Sequence, residues 1–206
     1  MMKTSIVLAG GRSLRLGKNK ILEMFGGETL IERVVECLAP ISDQVIISTI
    51  PGRQLPQFDE GVEIVFDVYP GKGSLGGLYS GLKAAHSFHS LVVAADMPFL
   101  KRSLLSYMME MASDYDVVVP RLGGFVEPLH AIYSKNCLEV IEAQIKSGRL
   151  SMRGFFSQVK VRYLDEVELD RFDPEHLSFF NINTMADLDK AKELIAQHDV
   201  KREICP

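Results

Sequence analysis

The chain of 206 residues has no tryptophan, only three cysteines, no block of Lys or Arg, and no apolar run long enough to cross a bilayer. Each shortage removes a class of function. Cys37, Cys137 and Cys205 are odd in number and far apart, which fits neither a disulfide framework nor a zinc-ligand spacing, so they read as reduced thiols. Cys37 and Cys137 fall in apolar, helix-patterned stretches and read as core filler. His86 and His89 have helix-neighbour spacing but lack the acidic or thiol companion that would complete a metal site. A net charge of −4 without a basic cluster disfavours nucleic acid as the main partner, because binding a phosphate backbone needs concentrated positive surface. A local basic pocket for one triphosphate stays compatible with that balance. The first apolar run, residues 4–9, is too short for a signal-peptide core or a membrane span, which predicts a cytoplasmic protein with no membrane partner. No repeat, low-complexity tract or composition shift marks a linker. Residues 1–206 are therefore expected to form one domain, with a frayed tail from about residue 199.

What remains is an ordinary globular composition, 47% hydrophobic and 24% charged. A chain of this length buries roughly 70% of its unfolded surface and needs no staples. Short apolar, β-branched runs alternate with amphipathic stretches. Buried strands are expected at residues 4–9, 44–48, 62–66 and 91–95, and a strand at 116–119 that stops at Pro120. Helices are expected at 29–38, 76–86 and 101–111. The later chain is less regular: strands at 127–133, 159–164 and 179–182, helices at 136–146, 152–156 and 184–196, the last opened by Thr184 and Asp187 in a variant of the capping box. This alternation predicts an α/β fold with a mostly parallel sheet covered by helices on both faces, a three-layer α/β/α arrangement.

The first chemical motif is Leu8-Ala9-Gly10-Gly11-Arg12-Ser13-Leu14-Arg15-Leu16-Gly17-Lys18-Asn19-Lys20. It follows the first strand, where open α/β sheets bind their ligands. Adjacent glycines let backbone N–H groups approach phosphate oxygens, and Arg15, Lys18 and Lys20 supply positive charge for a triphosphate. The absence of Gly-Lys-Ser/Thr excludes a P-loop, and glycines at 10, 11 and 17 miss the dinucleotide Gly-x-Gly-x-x-Gly pattern. Asp96 ends a buried strand and precedes Met97-Pro98, a position suited either to a metal or to a helix N-cap. Asp67 likewise sits just past a strand, ahead of glycines at 71, 73, 76 and 77 that let backbone approach a flat base and open a helix whose N-terminus favours anions.

Together these segments resemble the molybdenum cofactor guanylyltransferase family of nucleotidyltransferases, which has a glycosyltransferase-A-like, Rossmann-like fold. Leu-Ala-Gly-Gly-x-Ser-x-Arg-Leu-Gly-x-x-Lys resembles the family's N-terminal signature. The run from Asp67 to Leu78 resembles its glycine loop, Ala94-Ala95-Asp96-Met97-Pro98-Phe99 its metal-binding segment, and Phe180-Asn181-Ile182-Asn183-Thr184 its C-terminal element. The likeness spans nearly the whole chain. Leu16 stands where Met is commoner, Ser74 where Pro is, and Ser48 where some members have an Asn that contacts the nucleotide.

The resemblance implies transfer of GMP from GTP to the terminal phosphate of molybdopterin, with Mg²⁺ as cofactor and pyrophosphate as the second product. It implies that Leu8, Ala9, Gly10, Gly11, Lys20, Asp67 and Asp96 bind nucleotide, that Asp96 holds the metal, and that Arg15, Lys20 and Asp96 carry catalysis. Asn181 and Asn183, alternating on the expected strand, are assigned to acceptor binding or to the shape of the cleft. His130 reads first as a hydrogen-bonded core or edge histidine and second as an acceptor contact. A transient protein partner delivering or receiving the cofactor is compatible with this chemistry. Leu-Ala-Gly-Gly leans toward guanine, since cytidylyl relatives usually carry Leu-Ala-Ala-Gly. Cytidylyl transfer to a pterin, nucleotidylyl transfer to a sugar phosphate, and a non-catalytic nucleotide sensor stay open at this point, the sensor weakened by the presence of Arg15, Lys20, Asp67 and Asp96 together.

Overall fold

A computed structural model describes residues 2–10 and 20–198. The main sheet is built on strand β1 (Thr4–Leu8), whose five residues are all buried. Two short strands, β2 (Met24–Phe25) and β3 (Glu28–Thr29), form a separate antiparallel pair. Helix α1 (Leu30–Leu38) follows, capped by Thr29 in a reciprocal capping box with Glu32. Next come β4 (Gln44–Thr49), β5 (Val62–Phe66), α2 (Gly73–Ala84), β6 (His89–Ala94) and α3 (Arg102–Glu110). The second half contains β7 (Val117–Leu122), β8 (Phe125–Val126), β9 (His130–Ser134), α4 (Cys137–Lys146), β10 (Val161–Leu164), α5 (Glu166–Asp170) and α6 (Met185–His198).

The strand order is β10-β7-β9-β6-β1-β4-β5, with β8 hairpinned onto β7. Strands β6, β1, β4 and β5 are mutually parallel, as are β7 and β10, while β9 runs against both β6 and β7. One face packs α1 and α3 through Val34, Val35, Leu104 and Leu105 against Val7, Ile47 and Val93. The other packs α2 and α4 through Leu78, Leu82 and Ile141 against Ile6, Ile46 and Val92. This is the three-layer α/β/α arrangement with a mostly parallel sheet that the alternation predicts. Gly81 shows how tightly α2 sits on β1: a Cβ there would lie 2.5 Å from Ile6 Cγ2, a β-branched atom that cannot swing away. A third apolar cluster joins Phe25, Leu30, Phe99 and Ile182 to Leu188 and Ala191 of α6, which holds the end of the described chain against the β2–β3 pair.

Several local expectations are corrected. Strand β5 is the sheet's last strand and leaves Ile64 and Phe66 exposed, so it is an edge strand, not a buried one. Pro120 does not end β7, because the pairing with β9 is already over at Val118, so the imino nitrogen breaks no ladder on that side. Helix α2 begins at Gly73, three residues earlier than its apolar face suggests. The expected strand at 127–133 forms only over His130–Ser134, and the expected helix at 152–156 is replaced by turns and a short 3₁₀ segment, Phe156–Gln158. Residues 179–182 make no strand: a 3₁₀ turn, Leu177–Phe179, leads into irregular chain whose Ile182 N–H donates to Asp96 O at 3.0 Å. Cys137 is a free, fully buried core thiol, its pKa pushed up to about 12 chiefly by burial. Thr184 and Asp187 do form their box: Asp187 N–H donates to Thr184 Oγ1 at 3.2 Å and Thr184 N–H to Asp187 Oδ2 at 2.8 Å.

Candidate nucleotide site

The parallel strands deliver their C-terminal ends to one edge, and there backbone bonds stitch the motifs together. Ala9 N–H donates to Ser48 O at 2.8 Å, Ala95 N–H to Leu8 O at 3.2 Å, and Asp67 N–H to Thr49 O at 2.9 Å. Lys20 opens a short 3₁₀ turn, Lys20–Leu22, whose Ile21 is buried against the α1 face of the core, and this anchors the lysine stem. The Lys20 ammonium then reaches three acceptors. It is ion-paired with Asp96 Oδ2, and it donates to Ile182 O at 3.1 Å and to Asn183 Oδ1 at 3.0 Å. Sequence-distant segments therefore converge on one cation, and Asp96 and Lys20 each keep partial access to solvent.

A cavity of about 240 Å³ lies over this convergence, lined by Gly10, Lys20, Arg53, Gly77 and Asp96 among others. A second, of about 550 Å³, adjoins it through Gly10 and Gly73 and extends along Ile50, Asp67 and Gly71. The first turn of α2, Gly73 and Ser74, faces the smaller cavity, so its unpaired N–H groups and dipole favour an anion there. A larger cavity, about 670 Å³, lies elsewhere and its lining includes Glu28, Glu32, Glu36, Asp43, Asp59 and Glu60, which repel a triphosphate. Charge, not volume, selects the site.

Asp67 is 7% exposed, and its carboxylate stands over glycines. A Cβ on Gly10 would lie 3.6 Å from Asp67 Oδ2, and one on Gly77 would lie 3.6 Å from Oδ1 and 3.3 Å from Ser48 Oγ. The glycines thus leave open a box with a carboxylate on its wall. Burial raises the Asp67 carboxyl above its ordinary value, and the Ser48 hydroxyl works against that rise. That hydroxyl has a nearer acceptor in Gly77 O, at 2.9 Å against 3.3 Å to Asp67 Oδ1. Asp67 therefore has capacity for a donor brought by a ligand.

Leu8, Ala9, Gly10, Lys20 and Asp96 line the smaller cavity, and Asp67 lines the adjoining one. Gly11 and Arg15 lie outside the described residues. Asn183 joins the site through Lys20, but the Asn181 amide turns to Phe179 O at 3.0 Å, so the two asparagines do not act as an alternating pair. His130 is fully buried beside Phe179, with ring centroids 4.8 Å apart. It is a core histidine, yet neither ring nitrogen makes a hydrogen bond of good geometry. Burial lowers it to about 4, so it stays neutral, although the Ser178 backbone lies near enough to favour its proton slightly. Arg53 is absent from the sequence-based expectations, and Ser48 enters them only as standing where some family members have an Asn. Arg53 lines the cavity from the turn after β4, and Ser48 bridges Asp67 to Gly77. The Pro51-Gly52 turn just past a strand end was the available signal for Arg53.

Among the described residues no three His, Cys, Asp or Glu side chains form a metal cage, and none is long and apolar enough as a helix to cross a membrane. A single carboxylate at the mouth of a phosphate-sized cavity nevertheless fits Mg²⁺, which takes one or two protein carboxylates and completes its shell with phosphate oxygens and water.

A family model for the MobA-like NTP transferase domain matches residues 5–163. A probable molybdenum cofactor guanylyltransferase from Pelotomaculum thermopropionicum is 39% identical over 192 residues, 93% of each chain. A molybdenum cofactor guanylyltransferase from Desulfosudis oleivorans is 36% identical over 194 residues, 93% of this chain and 95% of that one. The crystal structure of molybdopterin-guanine dinucleotide biosynthesis protein A from Archaeoglobus fulgidus is similar with a TM-score of 0.82 at 32% identity, covering 94% of this chain and 99% of that one.

Proposed function

The chain belongs to the MobA-like NTP transferase family, and from that premise we propose that it transfers GMP from GTP to the terminal phosphate of molybdopterin, releasing pyrophosphate. The observation that carries this reading is the meeting of Lys20, Asp96 and Asn183 beside the glycine-floored box of Asp67. That arrangement offers a charged end for a triphosphate and a flat end for a base.

The acceptor phosphate is already a nucleophile near neutrality, because the second pKa of a phosphate monoester is about 6. The site accordingly needs no activated Ser, Cys or His. Lys20, with Arg15, neutralises charge gathering on the departing pyrophosphate, and Arg53 adds a second cation on the wall of the same cavity. Asp67 accepts from a donor on the base or ribose, and the missing Cβ atoms of Gly10 and Gly77 let the ring lie close. Asp96 would hold Mg²⁺, which supplies charge neutralisation at the phosphates when bound. Chain residues do the remainder by alignment of acceptor and α-phosphate. We place this activity in the cytoplasm, in one domain, with a transient protein partner that delivers or receives the cofactor.

The test is pyrophosphate release from GTP, CTP, UTP and ATP with Mg²⁺ and molybdopterin. Release specific to GTP and dependent on the acceptor is expected. Equal release from CTP would overturn the guanine assignment, and binding without release would leave only a nucleotide sensor.

A further inference from the structure

The loop between Asp67 and α2 forms the floor of the larger site cavity, yet it has little packing of its own. Pro70, Gly71 and Gly73 line the cavity, Val68 is half exposed, and a Cβ at Gly71 or Gly73 would meet nothing within 4 Å. Both glycines have positive φ, +79° and +61°. Among the described residues, two side-chain ties hold the loop. Val68 N–H donates to Ser80 Oγ at 2.9 Å, from α2. The Tyr69 hydroxyl donates to Glu142 Oε1 at 2.5 Å, from α4, while its ring meets Tyr79 edge-on at a centroid distance of 5.2 Å.

Glu142 lines neither site cavity and is not part of the machinery described above. Its Oε1 also accepts from the Tyr79 hydroxyl at 3.1 Å, and its Oε2 pairs with Lys146 at 3.0 Å. The Tyr69 hydroxyl is the first of the groups holding the Glu142 carboxyl down to about 2, and Glu142 in turn pushes Tyr69 up to about 12. Donor and acceptor roles are therefore fixed across any working pH. Two phenols share one oxygen but do different jobs: the Tyr79 contact joins α2 to α4, and the Tyr69 contact joins the loop to α4.

We infer that Glu142 is a positioning residue for nucleotide binding, acting through Tyr69 to hold the Asp67–Gly73 loop in the shape that receives the nucleoside end of the triphosphate. This rests on the proposed function. A loop held in its bound shape loses less freedom on binding, so the effect falls on affinity and not on the chemical step.

The test is GTP titration by calorimetry with parallel turnover measurements on Tyr69→Phe, Glu142→Ala, Glu142→Gln and Tyr79→Phe. Tyr69→Phe and Glu142→Ala should each raise the GTP Kd about tenfold, the worth of one charge-assisted hydrogen bond in affinity terms, with kcat at saturation within about twofold. Glu142→Gln keeps an acceptor oxygen and should restore most of the affinity. Tyr79→Phe should lower the melting temperature without moving Kd, which a merely structural role for the whole cluster would not allow. Should Glu142→Ala fail to fold, Tyr69→Phe and Glu142→Gln carry the test. Wild-type protein that binds no triphosphate would bring down the functional reading and this one together. Wild-type binding with Kd unmoved in Tyr69→Phe and Glu142→Ala would overturn this one alone.

Discussion

Strands β5, β4, β1 and β6 run the same way and end together, and each end carries or adjoins a polar group of the site. Beyond β6 the sheet reverses at β9, and the group that the later half of the chain contributes, Asn183, comes from irregular chain and not from a strand end. In the parallel half a side chain is placed by its strand, whose ladder fixes both position and direction. In the mixed half it is placed by contacts with the first half: Ile182 N–H on Asp96 O, Lys20 on Ile182 O, and Lys20 on Asn183. The difference teaches that the second half of the site is conditional on the first. Lys20 and Asp96 should be the positions where damage spreads, and the remaining asparagines the positions where it stays local.

The largest effect should come from separating the two members of that ion pair. Asp96→Ala removes the proposed metal ligand and is expected to lower turnover by at least about 10²–10³-fold, the range for deleting one group that stabilises developing charge. GTP binding without metal should persist, since the Lys20 ammonium keeps Ile182 O and Asn183 Oδ1. Lys20→Ala should weaken GTP binding and turnover together, by roughly ten- to a hundredfold in Kd. Calorimetric titration and pyrophosphate release, with circular dichroism for folding, separate the two. A folded Asp96→Ala protein turning over at near wild-type rate would remove the metal assignment.

The same contrast governs what the sequence makes legible. Apolar runs, the glycine motifs and the Thr184–Asp187 box are local patterns, and they mark β1, β4, β6, α1 and α6 to within a few residues. Lys20, Asp67 and Asp96 are legible for the same reason, because each borders a strand end or glycine turn. Their geometry is not. The tie from Lys20 to Asn183 spans 163 positions and follows no periodicity. Residues 179–182 have strand-like composition, but the Ile182 N–H goes to Asp96 O, so no ladder forms. Pro120 reads as a stop only if both sides of its strand need donors. Arg53 gives no pattern at all beyond the turn that carries it.

An intermediate effect belongs to the mixed half alone. His130 is fully buried and lowered to about 4 from an ordinary 6.5, chiefly by burial. Above pH 6.5 both folded and unfolded chains hold this ring neutral, and the full stability is present. As pH falls from 6.5 to about 4 the unfolded chain takes up a proton that the folded one refuses, so stability falls with falling pH. The loss attributable to this ring is on the order of 3 kcal/mol across that window. His130→Leu should flatten that part of the profile and leave stability at pH 7 equal or higher, because the wild-type ring nitrogens lack partners. Urea unfolding at pH 7 and pH 4.5 measures it. An unchanged difference between the two pH values in the variant would show that His130 is not the group responsible.

The smallest effect is also the sharpest test of conditional placement, since it sets two similar residues two positions apart against each other. Asn183→Ala removes one of three acceptors around Lys20, leaving Asp96 and the Ile182 carbonyl in place. The lysine should be less well aimed but not released, so the GTP Kd should rise by roughly threefold, on the order of 0.6 kcal/mol. Asn181→Ala breaks only a local bond to Phe179 O and touches nothing at Lys20, so the GTP Kd should stay as in wild type. Its effect, if it contacts the acceptor, should fall on the KM for molybdopterin alone. Measuring both KM values for both variants gives four numbers with a required pattern: GTP affinity moves for Asn183, and acceptor KM is the only parameter that moves for Asn181. Equal shifts of GTP affinity in the two variants would mean that the segment acts as a single unit, and the separation drawn from its hydrogen bonds would be wrong.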